Sequence, residues 1–136
     1  MKSLAREQGV AEYFIFPGTV PPEEVQCLFS VASVLISPRI AGTNTPLKIY
    51  SYLRSGLPIL ATKILSHTQV LTDDVALLVE PRPDSLSRGA LRLLEDSELC
   101  RRLAENALRL AQKVYGAEAY YQKIAEVFSF LASKSR

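Results

Sequence analysis

The feature that most constrains this chain is an alternation. Short apolar, β-rich runs at Tyr13–Phe16, Val34–Ile36, Pro58–Ala61 and Ala76–Val79 are separated by stretches with helical periodicity. Breaks bound them: Pro17-Gly18 closes the first, Ser37-Pro38 the second and Pro81-Arg82-Pro83 the last. Pro21-Pro22-Glu23-Glu24 opens a helix with acidic residues in its first turn, and Val25, Leu28, Phe29 and Ala32 give it an apolar side. Strands that alternate with helices pair in parallel through right-handed crossovers, so the expected class is α/β, a parallel sheet of about four strands with flanking helices. The end is helical. Asp84 is placed to cap a helix carrying Leu86, Ala90, Leu93 and Leu94, and Asp96 or Ser97 one carrying Leu99, Leu103, Leu108 and Leu110. A third helix runs from about Ala117 to Ala132, where Tyr120, Tyr121, Phe128 and Phe130, with Tyr115 before it, are expected to pack rather than bind a ligand.

Composition narrows the class. A chain of 136 residues with 48% hydrophobic residues suits one ordinary domain, 1–136, and no Gly/Ser-rich linker or internal repeat divides it. The net charge of +2 is too small and too scattered to argue for nucleic acid or an acidic membrane. No apolar run reaches the length of a membrane span, and the amphipathic start Met-Lys-Ser-Leu-Ala-Arg-Glu-Gln is not a signal core, so the polypeptide is expected to be cytoplasmic. Cys27 and Cys100 lie in apolar helical patterns without zinc spacing; two buried free thiols are expected, which favours a reducing compartment. Asp73-Asp74 lacks a third carboxylate nearby and reads as a solvated turn, so no metal is expected.

Ligands of open α/β sheets bind beyond the carboxyl ends of the strands, which directs attention to the loop after Ile36. There Gly42-Thr43-Asn44-Thr45 feeds a helix expected from about Pro46 to Ser55, with Thr45 as N-cap, Pro46 at its first position and Gly56 and Pro58 beyond its end. Gly42 permits close backbone approach, Thr43 and Thr45 offer hydroxyls, and Asn44 offers an amide. Lys48 falls in the first turn, where free N–H groups and the helix dipole disfavour a further cation. A bound phosphate would resolve that conflict; a flexible stem carrying the ammonium into water is the alternative. The loop has neither the Lys-Ser/Thr ending of a P-loop nor the spaced glycines of a dinucleotide fingerprint. Arg39 lies close enough to touch phosphate or acceptor, or is simply exposed. His67, the single histidine, follows the third run and serves either as a general base near the ligand or as a polar loop residue.

From Gly9 onward the chain resembles the later part of the nucleotide-sugar-binding domain of family 4 (group 1) glycosyltransferases, retaining enzymes of the GT-B fold. The resemblance rests on Gly18-Thr19-Val20-Pro21-Pro22-Glu23-Glu24-Val25, on Ala32 to Pro38, on Gly42 to Thr62 and on Leu77-Leu78-Val79-Glu80-Pro81. It implies a Rossmann-like sheet forming part of a GT-B donor domain. In that family two glutamates flank this loop and helix; the first touches the donor sugar, the backbone between lies against the diphosphate, and the second holds the ribose hydroxyls. The correspondence puts Thr43 at the first, as in a Gly-Thr-Asn-Thr-Pro-Leu-Lys subgroup, and Ser51 at the second. The loss of a carboxylate at Ser51 is expected to weaken ribose binding by about 1 kcal/mol or more.

The implied donor-binding set is therefore Gly42, Thr43, Asn44, Thr45, Lys48 and Ser51, with Arg39 and His67 as weaker candidates and no assigned catalytic residue. The implied ligand is a UDP- or GDP-sugar, used without a cofactor to transfer a sugar to an acceptor hydroxyl with retention. The resemblance also implies an N-terminal acceptor-binding lobe that this stretch lacks, so the fragment alone is expected to be inactive and to self-associate through its truncated face. The full-length parent is expected to be cytoplasmic or peripheral to the inner membrane. A non-catalytic nucleotide-binding or assembly module with a degenerate donor site is the alternative.

Overall fold

The structure, a computed structural model, describes residues 2–134. It falls into two compact units that meet in sequence at Val31 and Ala32. The first contains helix α1 (Lys2–Glu7), a 3-10 turn at Ala11–Tyr13, a second at Pro22–Glu24 and helix α2 (Val25–Ser30). Tyr13–Phe16, expected as a buried strand, is not one. Its carbonyl and amide groups join no ladder, Tyr13 and Ile15 are 80% and 91% exposed, and Phe14 instead stacks on Phe16 at 5.8 Å. A β-rich run becomes a strand only beside a partner that accepts its hydrogen bonds, which composition cannot supply. Cys27 is likewise corrected: α2 is short, and its thiol is exposed on the side away from Val25 and Phe29. Both cysteines are free.

The second unit holds the sheet. Strands β1 (Leu35–Ser37), β2 (Ile59–Thr62) and β3 (Leu77–Val79) lie in parallel in the order β1-β2-β3, three strands among the described residues in place of about four. Leu35 stands opposite Ile59 and Ser37 opposite Ala61; Leu60 stands opposite Leu77 and Thr62 opposite Val79. Helices α3 (Lys48–Arg54), α4 (Leu65–Thr68), α5 (Pro83–Glu95), α6 (Ser97–Tyr115) and α7 (Ala117–Lys134) complete it.

The alternation of side chains along β2 explains why this central strand is covered on both faces. Ile59 and Ala61 enter a core with Ile49 and Leu53 of α3, Leu71, Val75, Ala76 and Ala107 and Ala111 of α6. Leu60 points the other way, against Leu93 of α5 and Leu99 and Leu103 of α6. Each fully buried Leu or Ile here contributes roughly 1.5–3 kcal/mol relative to an exposed one. Asp96 accepts from the Leu99 N–H at 2.8 Å and caps α6 as expected. Asp84 does not cap α5; Pro83 occupies the first turn and Asp84 sits inside it as a dipole-favouring acid. The aromatic residues of α7 are another correction. Helix α7 has no buried residue, and Tyr120, Tyr121, Phe128 and Phe130 are all more than half exposed, whereas Tyr115 packs edge-on against Tyr50 at 5.1 Å.

Candidate functional site

The loop 38–47 joins the carboxyl end of β1 to α3, beside the carboxyl end of β2, the position expected for a ligand site. Its backbone is built around Gly42, whose φ of +142° a side chain rarely adopts, and a Cβ there would stand 2.7 Å from Arg39 Nη2. The Arg39 guanidinium thus folds back over Gly42 and donates from Nη1 to the Asn44 carbonyl at 3.1 Å. Arg39 is a clasp within the loop.

The helix begins later than the sequence suggests. Lys48, not Pro46, is its first residue, and Thr45 is no N-cap: its hydroxyl donates to Gln69 Oε1 at 2.9 Å. Leu47 precedes the helix already in helical geometry, and the Ile49 and Tyr50 N–H groups donate to the Pro46 and Leu47 carbonyls at 3.0 and 3.2 Å. These bonds close the first turn and leave the amides of Leu47 and Lys48 outside them.

Lys48 is exposed, its ammonium 5.6 Å from the Tyr52 ring centre one turn on. Partial burial, and then the charge of Arg39, push its pKa below the usual lysine value. Among the described residues neither Arg39 nor Lys48 has a carboxylate partner; the ion pairs are Lys63 with Asp73 and Arg101 with Glu98 and Glu105. Two cations that feel each other without a counterion form a place where an anion would be favoured. The side chains of Thr43, Asn44 and Ser51 are exposed and make no hydrogen bond to the described protein; Ser51 lies one turn along α3 from Lys48. Ile40 and Leu47, at 78% and 84% exposure, bring apolar surface to the loop.

His67 stands apart from these exposed groups because it is fully buried. Its Nδ1 lies 2.8 Å from the Thr62 carbonyl, which can only accept, so Nδ1 carries the proton; Nε2, 2.9 Å from Ser37 Oγ, accepts from that hydroxyl. Thr62 Oγ1, 3.2 Å from Nδ1, donates to the Arg39 carbonyl. Burial is the main cause of a pKa below the usual histidine value, aided by Lys48 and Arg39 and opposed by the bond to Thr62. Enclosed and neutral, the ring has no open face with which to serve a ligand as general base. Asp73 and Asp74 match the solvated-turn reading: Asp73 pairs with Lys63 at 3.3 Å, and the Asp74 carbonyl accepts from Asn106 at 2.9 Å. Among the described residues no cluster of His, Cys, Asp or Glu could hold a metal.

The residue-by-residue reading missed Ser37, Thr62, Tyr52 and Gln69. Tyr52 reaches the Ile36 carbonyl at 3.4 Å, and burial raises its pKa. The legible signal was a hydroxyl residue ending each of two apolar strands: a polar group at that depth must find a partner, and one histidine meets both.

The family model described as "Glycosyl transferases group 1" matches residues 1–110. Among solved structures, a sucrose-phosphate synthase from Thermosynechococcus elongatus superposes with a TM-score of 0.82 at 21% identity, covering 98% of this chain and 34% of that one. Anabaena HepE, solved in complex with UDP, gives 0.84 at 19% identity over 93% of this chain and 35% of its own. The C-terminal domain of a group 1 family glycosyl transferase from Francisella tularensis gives 0.72 at 19% identity, over 85% and 60%. At such identities the likeness speaks to fold, that of the C-terminal domains of GT-B glycosyltransferases, and the chain spans about a third of the first two proteins. A comparison with curated proteins gives no significant match.

Proposed function

Because this chain belongs to the group 1 glycosyl transferases, we propose that the loop from Arg39 to Lys48 receives the diphosphate of a nucleotide-sugar donor, within a retaining transferase of family 4. The observation that carries this reading is the pair Arg39 and Lys48, mutually repelling and, among the described residues, without a carboxylate, at the carboxyl ends of β1 and β2. Gly42 lets the loop fold tightly beneath them, Thr43 and Asn44 offer open polar groups toward the sugar and phosphates, and Thr45 is fixed by Gln69 at the loop's far end. Ser51 supplies a hydroxyl toward the ribose. UDP is the first nucleotide to test, since HepE was crystallised with UDP and with UDP-glucose.

In this reading the chain, residues 1–136, is part of a C-terminal donor domain, and the acceptor hydroxyl is aligned by a lobe outside it. The chain alone then binds donor without turning it over. It acts in a reducing compartment, which free Cys27 and Cys100 favour, either in the cytoplasm or against the inner membrane; no described helix is long and apolar enough to cross a membrane. The second reading, a nucleotide-binding or assembly module with a degenerate donor site, is favoured by one observation: the position expected to grip ribose carries exposed Ser51.

Calorimetric titration with UDP, UDP-glucose, GDP and a GDP-sugar decides between them. The donor reading expects saturable binding that Lys48→Glu weakens about a hundredfold, the effect of turning a charge-assisted contact into a repulsive one. Ser51→Glu is expected to tighten binding about tenfold by restoring a ribose acceptor. Absence of saturable binding by any of the four ligands overturns it.

A further inference from the structure

We propose that His67 is a positioning residue: through Thr62 it fixes the Arg39 segment, and with it the cationic loop, relative to the ends of β1 and β2. The tether is a directed chain of hydrogen bonds. Ser37 at the end of β1 donates to Nε2; Nδ1 donates to the carbonyl of Thr62 at the end of β2; the Thr62 hydroxyl donates to the Arg39 carbonyl. Each link runs in one sense, and the Thr62 hydroxyl oxygen also stands 3.2 Å from Nδ1. The ring proton cannot move to Nε2 without setting it against the Thr62 carbonyl as lone pair to lone pair, so the tautomer is locked. Ser37, Thr62 and His67 are all fully buried, which keeps water from substituting for the bonds among them, and the last link, to Arg39, is partly buried.

The position of the last link matters. Arg39 has no other backbone bond in the loop's turn network, and its guanidinium is what closes over Gly42 onto Asn44. Holding the Arg39 carbonyl thus sets where the guanidinium starts, and the clasp sets the path of residues 40–44. His67 contributes no atom to a ligand; it decides where those that do are found. Its value for donor binding rests on the reading above, whereas the tether itself does not.

Two measurements separate them. Trypsin cleavage of the Arg39–Ile40 bond, followed by mass spectrometry, reports release of the segment without any ligand; UDP titration reports the donor site. Asn at position 67 can replace the Nδ1–H and keep the bond to Thr62, whereas Gln places its amide where Nε2 stood and keeps only the bond to Ser37. The tether expects cleavage at Arg39–Ile40 to rise about tenfold in His67→Gln and Thr62→Val, the worth of one buried hydrogen bond, and to stay near wild type in His67→Asn and Thr62→Ser. Melting temperatures of the four variants identify any general unfolding. Cleavage that follows melting temperature alone, or equal cleavage in Thr62→Val and Thr62→Ser, overturns the tether. Graded cleavage with no UDP binding by the wild type upholds the tether and removes the donor reading instead.

Discussion

Protonating His67 would set a third positive charge beside Lys48 and Arg39 and destroy the lone pair that accepts from Ser37. Its folded pKa is held below the ordinary 6.5, mainly by burial, while the unfolded chain keeps the ordinary value. In the interval between the two the unfolded state binds more protons, so this contribution to stability is complete above about pH 6.5 and is lost as the pH falls below it. The melting temperature is expected to drop between about pH 6.5 and 5, before most carboxylates titrate, and to lose that slope in His67→Asn; equal slopes would refute the assignment. The neighbouring Ser66 hydroxyl is fully buried without a partner among the described residues. Ser66→Ala should therefore stabilise the fold by about 1 kcal/mol in chemical denaturation, because it deletes an unsatisfied group and no bond. The two residues show how little identity alone says: adjacent polar side chains at one depth, one fully engaged and one idle.

At the scale of elements, α5 lies so close to the sheet that a Cβ on Gly89 would stand 2.8 Å from Leu60 Cδ1 and 3.1 Å from Val79 Cγ1. Gly89→Ala gains helix propensity but must displace buried Leu60 and half-buried Val79, and the crowding wins; a net loss of about 1–2 kcal/mol is expected by urea denaturation. The cap of α6 gives a cleaner case. Asp96→Ala removes the acceptor of the Leu99 N–H and should cost about 1 kcal/mol, with Asp96→Asn or Asp96→Ser restoring most of it. That cap was legible because an acidic residue stood just ahead of a long apolar periodicity. The start of α3 was not: Thr45 and Pro46 satisfy the same local rule, yet Gln69, remote in sequence, takes the Thr45 hydroxyl and the helix starts at Lys48. A local preference worth about 1 kcal/mol yields easily to one tertiary hydrogen bond.

At the scale of the whole molecule, the second unit leaves much of α7 uncovered: Tyr120, Tyr121, Val127, Phe128 and Phe130 are each more than half exposed. Apolar surface of that extent favours association, and sedimentation equilibrium is expected to show concentration-dependent self-association that Phe128→Lys weakens about tenfold or more. A monomer at all concentrations, unchanged by the substitution, would show that the exposed rings are tolerated singly. The same surface marks where periodicity misled. Helical spacing of aromatic residues identifies a helix, but burial of its apolar side depends on what else lies there, and α7 meets its own unit chiefly through α6.

The sequence by itself determined that β1, β2 and β3 run parallel, that helices lie between them and that the loop stands at their carboxyl ends. These follow from periodicities and breaks that act over a few residues. It also determined which groups the loop offers, from Gly42 to Lys48. Only the tertiary structure decided that Tyr13–Phe16 would not be a strand, that Thr45 would serve Gln69, that Arg39 would clasp Gly42 and that His67 would be enclosed between Ser37 and Thr62. Each of those outcomes turns on a partner many residues away. Hydrogen bonds and burial are settled by which groups meet in space, and a local pattern fixes only what each segment can offer.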